Sequence, residues 1–348
     1  MILRRVSKLE DFTNLKEEWD NIYNETEASF FQSFSFNYYS WCNTLSCYQL
    51  AIIILEDNIK GVVGIFPFYI KDNIVRFIND IHADYCDALI VKNIDIDFEN
   101  ILSCLNRKGN NKYRFSFINL RSDSLLYRMI LKSNISNLVV KKSSSYYFLD
   151  ITKNTFPHNH LRLSSKQKVN IRRVKNNVQG SHFLLSNFKG DVFPVDDIIY
   201  LIRRMVSNKS RNSSFMNDNF ISLLKDLYLS NLLINSIIKS ENEPQRVNAM
   251  SFILKKNNNY LIWIDLFDKI KMINIFNYIH LISLFNSSHD CCIHFGRGLY
   301  NYKKFNFNPI IGELHAVHIF NNIIALNYHI IRDYLKDRIR YLYYFFKS

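Results

Sequence analysis

Only 8 of the 348 residues are glycine and 5 are proline. A phosphate-cradling loop needs several residues without Cβ, so that backbone N–H groups can close on the ligand. Neither a G-x-G-x-x-G fingerprint nor a P-loop pattern is present, which argues against a dinucleotide fold and a P-loop enzyme. The chain is instead rich in aromatic side chains, 15% of its residues, within a hydrophobic share of 48% and a charged share of 22%. Such a composition buries a sizeable core and does not suit a disordered, collagenous or coiled-coil chain. Length predicts about two domains.

Lys and Arg number 44 against 31 Asp and Glu, a formal net charge of +13. That balance favours anionic partners: phosphorylated cofactors, nucleic acid or an anionic membrane surface. The cysteines (Cys42, Cys47, Cys86, Cys104, Cys291, Cys292) show no CxxC and no His/Cys metal spacing, so reduced, mostly packed thiols and no metal are expected. The opening MILRRVSKLEDF is basic but is not followed by the apolar stretch of a signal peptide. The longest apolar runs, such as Leu50–Leu55 and Gly61–Ile70, are far below the ~18 residues of a membrane span. The expected location is the cytoplasm.

Apolar spacing predicts a helix over Leu9–Glu25 and an aromatic helix over Phe30–Leu45. Strand candidates follow at Gln49–Leu55, Lys60–Ile70, Phe115–Leu120, Asn137–Lys142 and Ser145–Asp150, with a helix at Leu125–Ser133. The polar stretch Ile151–Ser165 reads as a boundary. Beyond it, Ser164 or Ser165 can cap a basic helix, Lys166–Gln179. Helices at Asp196–Ser207 and Asn217–Tyr228 precede strands Leu233–Ser240, Val247–Lys255 and Asn259–Phe267, then a helix at Asn274–Asn286 and a strand at Cys291–Phe295. The halves rhyme like a duplicated unit, and short antiparallel turns favour an α+β fold over a doubly wound sheet. The expected division is 1–155, 156–315 and a basic aromatic helical tail, 316–348.

Three stretches carry a resemblance at matching offsets: Phe31–Trp41 (FQSFSFNYYSW), Val75–Ile90 (VRFINDIHADYCDALI) and Phe295–Phe305 (FGRGLYNYKKF). The last resembles a terminal D-F-x-x-G-x-x-x-Y-K-x-x-F motif through Phe295, Gly298, Tyr302 and Lys303. Between them Leu163–Asn177 resembles a basic helix opening a second domain. Together they resemble the bacterial double-GNAT acyltransferases, including the cellulose-biosynthesis-type acetyltransferases, whose relatives are the Fem-type aminoacyltransferases. The resemblance implies two tandem GNAT-like domains, each a mostly antiparallel sheet flanked by helices. It also implies acetyl-CoA or another acyl-CoA as donor. Two departures stand out: His294 replaces the acid that opens the last motif, and Asp268–Tyr278 (DKIKMINIFNY) lacks the small-residue turn before the last large helix. If the pyrophosphate sits at that helix start, Lys271 and Asn274 are placed to meet it, with Arg297 and Lys303 nearby.

Direct transfer needs a group to receive the acceptor's proton, a donor to the developing oxyanion and a proton for the leaving group. Asp84 and Asp265 are the acids offered for this and Tyr302 the proton donor; Tyr85, Asp87 and Trp263 are acceptor-binding candidates, with His82 beside them. Each has a structural alternative: Asp84 as a turn residue, Asp265 as a paired strand acid, Tyr302 as packing and Lys303 as a solvated lysine. Strict alternation would put Trp263, Asp265 and Phe267 on one strand face. The basic helix is either a solvated face or a grip on phosphates. The tail places Ile331, Leu335, Ile339, Leu342 and Phe346 at helical spacing with basic flanks, suiting either a docked helix or contact with the inner face of the membrane. The function expected is acyl-CoA-dependent N- or O-acylation, foremost acetylation, of a cell-surface polysaccharide or nucleotide-sugar precursor. Aminoacyl transfer from aminoacyl-tRNA and a non-catalytic GNAT-like scaffold are the alternatives.

Overall fold

The structure is a computed structural model that describes residues 1–335 except 95, 107–112, 153–162, 179–180, 187–191, 213, 215, 242, 271, 288, 333 and 334. The chain opens with β1 (Ile2–Val6), α1 (Leu9–Asn14) and α2 (Lys16–Glu25). One helix was expected across the latter two. It breaks at buried Leu15, whose N–H turns back to the Phe12 carbonyl. The aromatic segment is likewise divided, into a 3₁₀ turn at Phe30–Gln32, α3 (Phe34–Ser40) and a π turn at Trp41–Leu45. The Ser29–Gln32 capping box and the Ser33 cap on the Phe36 N–H each start a new helical segment.

Next come β2 (Gln49–Leu50), β3 (Ile52–Asp57), β4 (Gly61–Phe66), β5 (Phe68–Lys71), β6 (Ile74–Phe77), β7 (Leu89–Ile90), α4 (Phe98–Leu105), β8 (Arg114–Arg121), α5 (Leu125–Lys132) and β9 (Leu138–Ile151). The single strand expected at Lys60–Ile70 is cut by Pro67, which has no N–H to give a ladder. β4 and β5 then enter different sheets. The second half contains α6 (Ser165–Asn177), β10 (Ser181–Ser186), α7 (Val195–Ser207), α8 (Asp218–Leu229), β11 (Leu233–Ser240), β12 (Val247–Lys256) and β13 (Asn259–Phe267). After these come α9 (Ile273–Asn286), β14 (Cys291–Arg297), α10 (Asn301–Phe307) and β15 (Ile310–Ile319). Residues 323–332 form a last helix.

Four strands make one sheet in the order β1-β3-β4-β7, and eleven make the other in the order β10-β11-β12-β13-β14-β9-β15-β8-β6-β5-β2. Each half supplies one parallel strand pair, β6–β8 and β13–β14, among antiparallel neighbours. This is the α+β architecture expected, with mostly antiparallel sheets flanked by helices. The halves are sewn together by β9, which pairs with β14, and by β15, which runs between β9 and β8. The 315/316 division drawn from sequence falls inside β15.

Two details of this frame position a site. The β13–β14 pairing stops at Leu261↔His294, and from Ile262 onward the strands part. On its other edge β13 carries a bulge, because Ile262 pairs with Ile253 and Ile264 with Phe252, leaving Trp263 extra. The bulge overturns the expected alternation. Trp263 turns toward Phe31, Phe36 and Phe220, with ring centroids 5.8, 5.2 and 5.6 Å away. Asp265 turns toward α9, where its carboxylate meets Tyr278.

Candidate active site

Where β13 and β14 part, a cleft of about 640 Å³ opens. Asp84, Trp263, Asp265, Asn274, Arg297, Tyr302 and Lys303 all line it, together with His82 and Arg211. Sequence reasoning thus named residues far apart in the chain that the fold gathers. Lys271 lies outside the described residues. Tyr85 and Asp87 do not join the cleft: they line a second cavity of about 360 Å³ with Gln32, Arg121 and Ser124. The segment from Asp84 to Asp87 therefore lies between the two cavities.

Asp265 is the cleft end of a polar chain that begins in the core. Ser236 donates to Asn277 (3.0 Å), Asn277 to the Ser251 hydroxyl (2.6 Å) and Ser251 to Asp265 Oδ1 (2.6 Å). Tyr278 donates to the other carboxylate oxygen, and its hydroxyl lies 3.5 Å from that of Tyr302. Burial, with Asp265 next to it, pushes Tyr278 well above the ordinary phenol value, and burial raises Tyr302 as well. Both phenols therefore hold their protons at neutral pH. Sequence reasoning assigned nothing to Tyr278 or Ser251. Their signal was local: Tyr278 follows Asn274 by one helical turn, and Ser251 is the register partner of Asp265.

Lys303 is not the solvated lysine its alternative reading allowed. It is 4% exposed, and its ammonium donates to the Phe295 carbonyl beneath the rings of Tyr278, Tyr300 and Tyr302. Burial lowers its pKa, against the pull of Asp265 and Asp84. A cation so placed biases the cleft toward negative charge.

Asp84 ties the two informative motifs together. Its carboxylate lies 3.8 Å from Arg297 Nε and accepts the Arg297 backbone N–H, while burial pushes its pKa up. It fits because position 296 is glycine: a Cβ there would come within 2.5 Å of Asp84 Oδ2, and the backbone has φ +71°. Asp84 thereby holds the turn after β14. His82 stacks on Phe220 (4.3 Å, 22°) and gives its carbonyl to the Trp263 indole, while burial drops its pKa to about 4.

The start of α9 is where the resemblance would seat a pyrophosphate. There the Ile273 N–H goes to the Ile270 carbonyl, Ile275 to the Asn274 side chain and Phe276 to the Met272 carbonyl. Met272 takes the left-handed conformation (φ 68°) that a glycine would ordinarily supply. Just before it, buried Asp268 accepts from Arg204 (2.9 Å), Arg246 (2.8 Å) and Tyr200 (3.3 Å). Burial alone would raise this acid, but those donors and the Lys269 N–H bring it down to about 2. The described residues here form a closed, acid-bearing corner and do not fit an open amide cradle.

The basic helix is α6, capped by Ser164 and Gln167. Lys166, Lys168, Arg172, Arg173 and Lys175 are all exposed. At the second cavity, Tyr85 is buried with its hydroxyl 3.3 Å from His294 Nδ1, and burial brings Asp87 to about 7. His294 itself stacks beside Tyr146 and Phe148, and burial, helped by Arg121, brings it to about 3.

No protein-family model matches this sequence, and no curated protein sequence does either. Solved structures do match in fold. L-PGS from Bacillus licheniformis superposes with a TM-score of 0.57 at 11% identity, covering 93% of this chain and 94% of that one. FemX gives 0.58 at 9% identity, with 92% and 98% covered. A conserved protein of unknown function from Bacteroides thetaiotaomicron gives 0.56 at 12% identity, with 92% and 100% covered. The likeness spans nearly the whole chain, so the protein shares the fold of L-PGS and FemX.

Proposed function

We propose that this chain is a GNAT-type transferase that moves an acyl group from an activated ester onto an amine or hydroxyl in the Asp265–Tyr302 cleft. The observation that carries this reading is the parting of β13 from β14 at the point where Asp265, Tyr278, Tyr302 and Lys303 converge. β13 backbone released from β14 is available to bond the donor carbonyl, and the Lys303 ammonium stabilises the oxyanion formed when the acceptor attacks. Tyr302, held protonated, gives its proton to the leaving oxygen as the acyl–oxygen bond breaks; Tyr278 and Asp265 fix its orientation. The acceptor's own proton passes to water at the cleft mouth, and the Tyr302 phenolate, whose pKa burial raises, takes a proton back from water to restore the starting state. Asp84 acts as a positioning residue for the turn that carries Arg297. A cleft shared by Asp84, Asp265 and Tyr302 supports an enzyme over a scaffold.

Between donors, the closed corner at α9 favours an aminoacyl ester on tRNA over acyl-CoA, and the +13 charge suits a polyanionic carrier. Titration calorimetry with acetyl-CoA and with aminoacyl-tRNA, followed by transfer assays on amino-sugar and lipid acceptors, tests this. Salt-sensitive tRNA binding is expected. Tyr302→Phe should keep that binding while slowing transfer on the order of 10²- to 10⁴-fold. Binding of acetyl-CoA but not tRNA would reverse the donor choice. Binding of neither would end the transferase reading.

A further inference from the structure

The helix at 323–332 is polarised in an unusual sense. Its inner side docks through Leu326, while His329 packs against Phe320 and His318, with centroids 4.9 and 5.1 Å away. The opposite side repeats at intervals of four and three residues: Ile324 (78% exposed), Tyr328 (68%) and Ile331 (59%). At 100° per residue these three fall on one stripe roughly opposite Leu326. Ile323 (56%) and Ile330 (50%) are also exposed. A surface helix normally turns this stripe inward; here it faces out. Such contiguous exposed apolar surface marks an interaction site.

Charge selects the occupant. Residues 330–348 hold Arg332, Lys336, Arg338, Arg340 and Lys347 against Asp333 and Asp337, in a chain of net charge +13. A second copy would bring that same positive charge to the contact and repel it, whereas an anionic lipid surface attracts it. Aromatic residues such as Tyr328 suit the headgroup boundary. Among the described residues no helix is long and apolar enough to cross a membrane, so the geometry is that of a helix lying in the interface. We propose that the outward face of the 323–332 helix seats this protein on an anionic membrane surface. The inference is independent of the donor and acceptor chemistry.

The test is co-sedimentation of the full chain with vesicles of mixed phosphatidylglycerol and phosphatidylcholine, and with vesicles of phosphatidylcholine alone. The full chain should pellet with the anionic vesicles, lose binding in high salt and stay in solution with phosphatidylcholine. The double variant Ile324→Glu/Ile331→Glu should bind anionic vesicles at least about tenfold more weakly. Both side chains are exposed, so its melting temperature should match that of the parent chain. Equal pelleting of parent and variant, or none by the parent, overturns the proposal. So does a lipid-free dimer that the double variant breaks into monomers, since that assigns the face to self-association.

Discussion

Replacing His294 with Gln should remove one specific component of acid sensitivity. In the folded chain burial, and secondarily Arg121, hold this imidazole at about 3, whereas an exposed histidine titrates near 6.5. The folded pKa is the lower one, so below pH 6.5 the unfolded chain takes up a proton that the folded chain refuses. Stability therefore falls as pH drops through the window from 6.5 toward 3, by ~1.4 kcal/mol per pH unit. Between pH 7 and pH 5 the loss is about 2 kcal/mol. Acids such as Asp87, raised to about 7, and Asp80, raised to about 6, act with the opposite sign: their folded forms hold protons that the unfolded chain releases. A single pH profile thus mixes both contributions, and the difference between parent and variant isolates the histidine. At pH 7 the variant should be weaker by about 1 kcal/mol, from lost stacking on Tyr146 and Phe148. By pH 5 it should equal or exceed the parent. Urea unfolding in half-unit pH steps measures this, with the imidazole resonances followed by NMR. Parallel parent and variant curves, or an imidazole that titrates near 6.5 in the folded chain, would refute the reasoning.

Other substitutions probe the same frame. Gly296→Ala should cost about 2 kcal/mol and most transfer activity, because its Cβ meets Asp84 and its backbone is left-handed; thermal melting and a transfer assay check both. Asp268→Asn should destabilise by about 2 kcal/mol, less than the 3–5 of a fully buried pair because Arg204 and Arg246 are 42% and 41% exposed. The acid is depressed to about 2, so its contribution is present above pH 3.9 and fades as pH falls toward 2, which acid titration of the parent would show. Lys256→Met should cost about 3 kcal/mol in urea, since that ammonium serves the carbonyls of Tyr23 (3.0 Å), Thr26 (3.0 Å) and Ala28 (2.8 Å) from the other half of the chain.

Much of the site was legible because its residues come from short motifs with local geometry. Asp84, Asp265, Tyr302 and Lys303 sit in patterns a linear reading can weigh, and the fold brings them to one cleft. What escaped was non-local. The bulge at Trp263 reverses which face Asp265 presents, and alternation alone cannot contain it, because it is set by the register against β12. Tyr85 and Asp87, adjacent to Asp84 in the chain, part from it only because the segment passes between two cavities. The expected tail began at Ala316, inside β15, since that strand's partners, β8 and β9, lie more than a hundred residues earlier. The glycine shortage, finally, has a structural meaning that composition could not give. Gly296 admits the Asp84 carboxylate, and at Gly312 a Cβ would fall 2.1 Å from the Tyr146 ring. At α9, where a cofactor cradle would want glycine, Met272 takes the left-handed backbone itself and the neighbouring amides close on the chain's own oxygens. A non-glycine residue persists in that conformation only when its surroundings hold it there. The left-handed Met272 and the amides of Ile273 and Ile275, spent on the chain's own oxygens, are therefore a built feature of the described residues at this corner.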